Sequence, residues 1–183
     1  MRRRSFIAGS LAALAFPQAL FAQNAAYDPT PQLVSIKSQY SVGQMLILPR
    51  SHYLYLVTEP GKAMRYGVGV GKAGLEFTGS ATISVKKEWP TWRPTDEMIE
   101  RDPKAYARFV GNTEAQPGGP DNPLGARALY LFQNGKDTYF RIHGTTQPSS
   151  IGRSVSNGCI RMINDHVIDL YERVPVGTTV VVL

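Results

Sequence analysis

From position 45 onward the chain is a series of short apolar runs cut by turn residues, a pattern that predicts strands more than helices. Residues 45–48 and 53–57 flank Pro49-Arg50-Ser51-His52, and Glu59-Pro60-Gly61-Lys62 makes a second turn before 64–70. Residues 81–87, 128–133, 138–143 and 178–183 are further candidates, rich in β-branched and aromatic side chains. Within 139–143 the residues alternate, placing Phe140 and Ile142 on one face and Arg141 and His143 on the other. Helical spacing shows in two places. Thr95 is a capping residue for a helix over 96–100, continued by 104–110 after Pro103. Asn164 or Asp165 caps a second helix, in which Val167, Leu170, Tyr171 and Val174 recur on one side. Many short strands, glycine and proline turns and two small helices predict a mainly antiparallel β domain.

The first 22 residues change the domain boundaries. Arg2, Arg3 and Arg4 precede an apolar stretch over 6–16, broken by Pro17, with a small-residue cleavage site after Ala22. The stretch falls short of the roughly 20 apolar residues of a membrane span, so it is expected to be an export signal. Arg3-Arg4-Ser5-Phe6-Ile7 resembles the twin-arginine signature, and an ordinary Sec signal stays open beside it. Either route predicts a periplasmic protein with no membrane span in the mature chain. Residues 23–42 are expected to form a linker with a short edge strand near 33–36, and 43–183 one domain large enough to bury a core. The formal charge is +6, and the three arginines of the signal supply half of it. The remainder suits an anionic polymer such as a cell wall, or simply a soluble surface. No basic stripe points to nucleic acid.

Gly67-Val68-Gly69-Val70-Gly71-Lys72 is not a phosphate loop, because Tyr66 stands where that loop needs glycine and no helix follows. Alternate glycines leave one face bare, either for close packing or for a substrate backbone.

Cys159 is the only cysteine, so there is no internal disulfide. An unpaired thiol in an exported protein is buried, joined to another chain, or reactive. A cysteine nucleophile works as thiolate and needs a base. His143, sixteen positions earlier, is the candidate, with an ordinary pKa near 6.5 suited to proton exchange. His52, in a turn, and His166, at the start of the last helix, are weaker candidates. Gly158 permits a sharp turn that aims the Gly158 and Cys159 amides at a substrate carbonyl as an oxyanion hole. Arg161 is a candidate for holding a substrate carboxylate or for pairing with an internal acid. Ser156 and Asn157 are candidate substrate contacts, with plain turn chemistry as the alternative. Trp89 and Trp92 are read as core packing, with sugar stacking or a place at the cleft border as the alternative. The rigid loop 117–123 is scaffold. No spaced His/Cys/Asp cluster suggests a metal site.

The string His143-Gly144-Thr145 followed by Ser150-Ile151-Gly152-Arg153-Ser154-Val155-Ser156-Asn157-Gly158-Cys159-Ile160-Arg161-Met162 closely resembles the L,D-transpeptidase catalytic domain of bacterial cell walls, the YkuD-type family that includes ErfK, YbiS, YcfS and YnhG. The resemblance spans about 43–183 and takes in Trp89-Pro90-Thr91-Trp92-Arg93-Pro94-Thr95 and Asn122-Pro123-Leu124-Gly125-Ala126-Arg127. It implies a β-sandwich-like fold with one or two short helices and a Cys–His pair in a cleft beneath a mobile lid. It also implies the reaction. Cys159 attacks the carbonyl of the diamino acid at position three of a tetrapeptide stem, D-Ala leaves, and the thioester passes to an amine. His143 is then the base, oriented by the Gly144 backbone carbonyl, with no cofactor or metal. The partners implied are peptidoglycan stem peptides. The acceptor stays open between a second stem, water, and an amine of an outer-membrane protein or lipoprotein. A non-catalytic wall-binding protein and a papain-like protease are the competing readings. One departure stands out: the family commonly has histidine where this chain has Asn157, which keeps a donor and an acceptor but cannot relay a proton near neutral pH.

Overall fold

The computed structural model describes residues 27–183; the expected export signal and the first residues of the expected linker lie outside the described residues. The strands are β1 (Gln32–Ser35), β2 (Met45–Leu48), β3 (Tyr53–Glu59), β4 (Lys62–Gly67), β5 (Val70–Gly71), β6 (Gly79–Glu88), β7 (Arg127–Gln133), β8 (Lys136–His143), β9 (Ser154–Ser156), β10 (Ile160–Arg161) and β11 (Thr179–Val182). Helix α1 (Asp96–Arg101) lies between β6 and β7, and α2 (Asn164–Arg173) between β10 and β11. The expected mainly β fold with two short helices is therefore what forms.

One sheet of nine strands runs β1-β4-β3-β2-β11-β6-β7-β8-β10, and β5 pairs separately with β9. Within the nine-stranded sheet neighbours are antiparallel except β2–β11 and β8–β10, and β5–β9 is also parallel. The last strand does not end at a free edge. Gly69, just past β4, exchanges both backbone hydrogen bonds with Arg161 of β10, at 2.9 and 2.8 Å. The sheet thus curls until its far side meets the segment after β4, and one core fills the interior. Met45, Ile47, Leu54, Ile83, Leu129, Leu131 and Ile142 are fully buried there, with Val167 and Leu170 of α2 against them. Each such side chain contributes about 1.5–3 kcal/mol by leaving water.

The glycine run resolves in favour of close packing. A Cβ at Gly67 would lie 2.4 Å from Pro29 Cα, one at Gly69 2.5 Å from the Ser150 carbonyl oxygen, and one at Gly71 3.0 Å from Gly158 Cα. Three backbone segments therefore approach one bare face, leaving no lane for a substrate. The first of them belongs to the expected linker, which packs on the sheet from Tyr27 on and supplies the edge strand expected near 33–36 as β1. Tyr27 stacks on Tyr53 at 5.0 Å, its hydroxyl donates to the His52 carbonyl, and β1 pairs with β4.

Several local expectations are corrected. Residues 104–110 do not continue α1. The Asp102 N–H closes α1 on the Met98 carbonyl, and the Asp102 carboxylate accepts from the Ala105 amide, so a separate 3₁₀ turn follows at Ala107–Phe109. Asn164 does not cap α2. Ile163 holds the cap position without a side-chain bond, and Asn164 turns its side chain toward the loop after β8. The alternation in β8 is interrupted: Tyr130 pairs with Arg141 and Phe132 with Asp137, so residues 138–140 bulge. Asp137 accepts from the Tyr139 amide and Thr138 from the Phe140 amide, which holds the bulge in shape.

The far end of α2 rests on one cation. Lys86 Nζ of β6 donates to the Tyr171 and Val174 carbonyls at 2.6 and 2.7 Å and lies 4.1 Å from the Tyr171 ring centroid. These carbonyls belong to the last turn, where a positive charge also opposes the helix dipole. Lys86→Met keeps the aliphatic stem and removes the charge. The expected outcome is a lower urea midpoint at unchanged m-value, a loss of about 2 kcal/mol.

Candidate active site

Strand pairing brings the two principal residues together. β10 lies parallel to β8 with Ile160 opposite Ile142 and Arg161 opposite His143, and the Met162 amide donates to the His143 carbonyl at 2.8 Å. Cys159 immediately precedes β10. His143, Cys159 and Arg161 all line a single cleft of about 580 Å³.

His143 is 4% exposed, and its Nδ1 lies 2.5 Å from the Gly144 carbonyl oxygen. A carbonyl only accepts, so Nδ1 carries the proton and Nε2 keeps its lone pair. The turn that carries Gly144 is stapled by Asn164, whose Oδ1 accepts from the Ala126 and Thr145 amides at 3.1 and 3.2 Å. Its spacing in the sequence suggests only a helix cap, and the loops it joins are remote in sequence.

The turn before Cys159 is closed from within. Ser156 Oγ donates to the Cys159 carbonyl at 2.6 Å and accepts from the Gly158 amide at 3.1 Å. Gly158 has φ of 121°, and a Cβ there would sit 2.5 Å from Phe140 Cε1 and 2.6 Å from the Leu75 carbonyl oxygen. Only glycine meets both demands. Ser156 lines the cleft but is 1% exposed, with its hydroxyl engaged in this turn. The Gly158 amide, held by Ser156, is likewise not a free donor for an oxyanion hole.

The thiol meets two backbone groups of the bulged strand. Sγ donates to the Tyr139 carbonyl at 3.8 Å. Burial pushes the Cys159 thiol above its ordinary pKa, against a hydrogen bond from the Arg141 amide and the positive charges of Arg141 and Arg161. Burial likewise lowers His143, to about 4, against the Gly144 hydrogen bond and assisted by Arg161 and Arg141. The resting pair is thus a neutral thiol and a neutral imidazole. The charge of Arg141 is itself moderated by Asp137, which it grips through two nitrogens at 2.6 and 2.7 Å.

A lid segment between β6 and β7 forms the opposite wall. Thr95 caps α1 as expected, its hydroxyl accepting from the Met98 amide at 3.2 Å. Trp92, Thr95, Met98, Arg101 and Tyr106 face the cleft. Trp92 packs against Tyr106 at 6.2 Å and edge-on to Phe109 at 5.4 Å, a small core of the lid's own. The tryptophans therefore do not join the main core: Trp92 borders the cleft and Trp89 is 46% exposed. Asn157 does not face the cleft unengaged. Its Oδ1 accepts from Arg101 Nη2 and its Nδ2 donates to the Tyr106 hydroxyl, both at 3.2 Å. Arg161 reaches Gln147 Oε1 at 3.3 Å. His52 lies 3.0 Å from Ser154 Oγ, in a left-handed turn.

Two pH effects follow. Because His143 sits below 6.5 in the fold, the unfolded chain binds its proton first as pH falls. Its contribution is whole above pH 6.5 and is lost between there and about 4. His143→Gln should flatten that part of a stability-against-pH curve, a difference on the order of 3 kcal/mol between its ends. Iodoacetamide alkylation of Cys159 should still be accelerating at pH 9.0, the ordinary thiol value; a rate that levels off near neutrality would reveal a preformed thiolate–imidazolium pair instead.

Comparison with known proteins agrees with this geometry. The family model of the L,D-transpeptidase catalytic domain, YkuD, matches residues 44–182. The chain is 34% identical over 161 residues to the probable L,D-transpeptidase ErfK/SrfK of Escherichia coli K12, covering 80% of this chain and 49% of that protein. It spans about half the length of the curated relatives it first matches. A solved structure from Brucella melitensis, described as a probable carnitine operon oxidoreductase, is 59% identical with a TM-score of 0.57, covering 84% of this chain and 93% of that one. An L,D-transpeptidase from Mycobacterium smegmatis shares the fold at 18% identity and a TM-score of 0.55, over 76% of this chain and 58% of that one. By the extent of the family match, and with Cys159 and His143 of its motif in one cleft, the chain belongs to the L,D-transpeptidase catalytic domain family of the YkuD type.

Proposed function

We propose that the chain is a periplasmic peptidoglycan L,D-transpeptidase, exported by its N-terminal signal, with Cys159 as nucleophile and His143 as general base. The observation that carries the reading is the parallel β8–β10 pairing, which sets a thiol and a tautomer-fixed imidazole in one cleft. His143 Nε2 takes the thiol proton as Sγ attacks the carbonyl carbon of the diamino acid at position three of a tetrapeptide stem. The Cys159 amide receives the developing oxyanion; the Gly158 amide shapes the turn. The C–N bond to D-Ala breaks, D-Ala takes the proton from His143, and a thioester remains. An incoming amine then attacks, giving its proton to His143, and the thiol is restored. A thioester preserves the energy of the amide bond, which suits a compartment without ATP.

The neutral resting pair supports this order of events. Proton transfer coupled to attack needs no thiolate beforehand, and the guanidinium groups of Arg141 and Arg161 favour the sulfur charge as it forms.

The test is mass spectrometry of disaccharide-tetrapeptide incubated with the chain and with Cys159→Ala. The expected result is loss of D-Ala with a new dimer, reduced at least about a thousandfold in Cys159→Ala. Loss of D-Ala without dimer would make water the acceptor. Unchanged tetrapeptide in both samples would sink the enzyme reading in favour of wall binding.

A further inference from the structure

Both arginines that line the cleft hold neutral amides, as Arg65 holds Gln32, whereas five others hold acids. Arg93, Arg108, Arg127, Arg141 and Arg173 each have a carboxylate within 4.0 Å. Arg161 bonds the Gln147 amide oxygen, and Arg101 bonds the Asn157 amide oxygen through a single nitrogen at 3.2 Å. Glu97, one helical turn before Arg101, is its natural i, i+4 partner. That carboxylate turns instead to Thr95 Oγ1 at 3.4 Å. Among the described residues Arg101 has no ion-pair partner, although it lies on the cleft wall.

Its partner is as informative as its charge. Asn157 bonds two residues of the lid, Arg101 and Tyr106. It also stands two residues before the nucleophile, a span of at most about 7 Å along the chain. The guanidinium of Arg101 therefore stands on the wall of the cleft that holds the thiol, bonded to a weak, neutral acceptor. A carboxylate offers charge and a two-pronged geometry that an amide oxygen lacks, and its hydrogen bonds are roughly twice as strong.

We propose that Arg101 is the lid residue that binds the terminal carboxylate of the leaving amino acid, with Asn157 as the placeholder that gives the guanidinium up when substrate arrives. This rests on the transpeptidase reading for the identity of the ligand, a peptide with a free C-terminal carboxylate. That carboxylate stands three bonds beyond the scissile carbonyl carbon, so a cation on the wall of the thiol's cleft is placed to receive it. Asn157 keeps its bond to Tyr106 during the exchange, and the lid stays tethered. The site selects peptides that end one residue past the reacting carbonyl, because a longer stem carries no charge at that point. Asparagine suits the role better than the family's usual histidine. Its amide oxygen accepts at every pH, whereas a protonated imidazole would repel Arg101.

The experiment is calorimetric binding to the chain carrying Cys159→Ala, which removes turnover, with two ligands: the stem tetrapeptide with its terminal D-Ala as free carboxylate, and the same peptide as its C-terminal amide. The expected preference for the carboxylate is about tenfold or more. Arg101→Met should erase the preference, and Arg101→Lys should restore part of it. Asn157→Ala should keep or enlarge it, because the guanidinium no longer has a competing acceptor. A preference that survives Arg101→Met, or falls as far in Asn157→Ala as in Arg101→Met, would overturn the proposal and leave Arg101 as a lid tether. Failure of both peptides to bind would also overturn it. Carboxylate-dependent binding together with no Cys159-dependent loss of D-Ala would uphold the site while removing the transpeptidase reading.

Discussion

The backbone exchange between Gly69 and Arg161 is the constraint on which the rest of the molecule depends. It ties the last strand of the sheet back to the segment after β4, and it fixes β10 against β8 on its other side. Without that double attachment a two-residue strand has too few hydrogen bonds to hold its register. With it, Cys159 is located to within a turn whose geometry Ser156 and Gly158 then complete. The catalytic spacing is thus a property of the sheet's closure, and the core beneath it supplies the rigidity.

The strand pattern was legible because most strands have one buried face and turn residues at their ends; β2 and β7 fall where alternating or continuous apolar runs place them. α1 and its Thr95 cap were legible for the same local reason. What escaped was non-local. β9 and β10 are too short to carry a period, and their existence depends on partners distant in sequence. The bulge at 138–140 interrupts an alternation that looks regular in the sequence, since only the pairing with β7 reveals the extra residues. Cys159, His143 and the Gly144 carbonyl stood out through the motif, and the structure groups them. Ser156 and Asn157 both line the cleft, but their hydrogen bonds run to the Cys159 turn and to the lid, partners that the sequence does not reveal. Whether a short polar side chain faces ligand, backbone or a remote loop is decided by the fold around it. Asn164 gave a true signal, a polar residue at a helix start, for a different bond.

Burial dominates the electrostatics of the pair. It disfavours both charged forms, raising the thiol and lowering the imidazole, and the two nearby guanidinium groups only moderate the first. Such a site is quiet toward adventitious electrophiles, because little thiolate exists until a carbonyl is in place. Burial correspondingly keeps the His143 imidazole neutral at neutral pH.

The lid occupies a position that the sheet does not need. β6 and β7 are antiparallel neighbours, which a tight hairpin would connect, yet residues 89–126 intervene with a small aromatic core of their own. Because that core is separate from the one under the sheet, lid substitutions that spare the bonds of Arg101 and Tyr106 to Asn157 and of Ala126 to Asn164 leave the scaffold of Cys159 unchanged. The lid wall of the cleft can then vary while the turn that carries Cys159 is held, and a single insert can be exchanged without rebuilding the sheet.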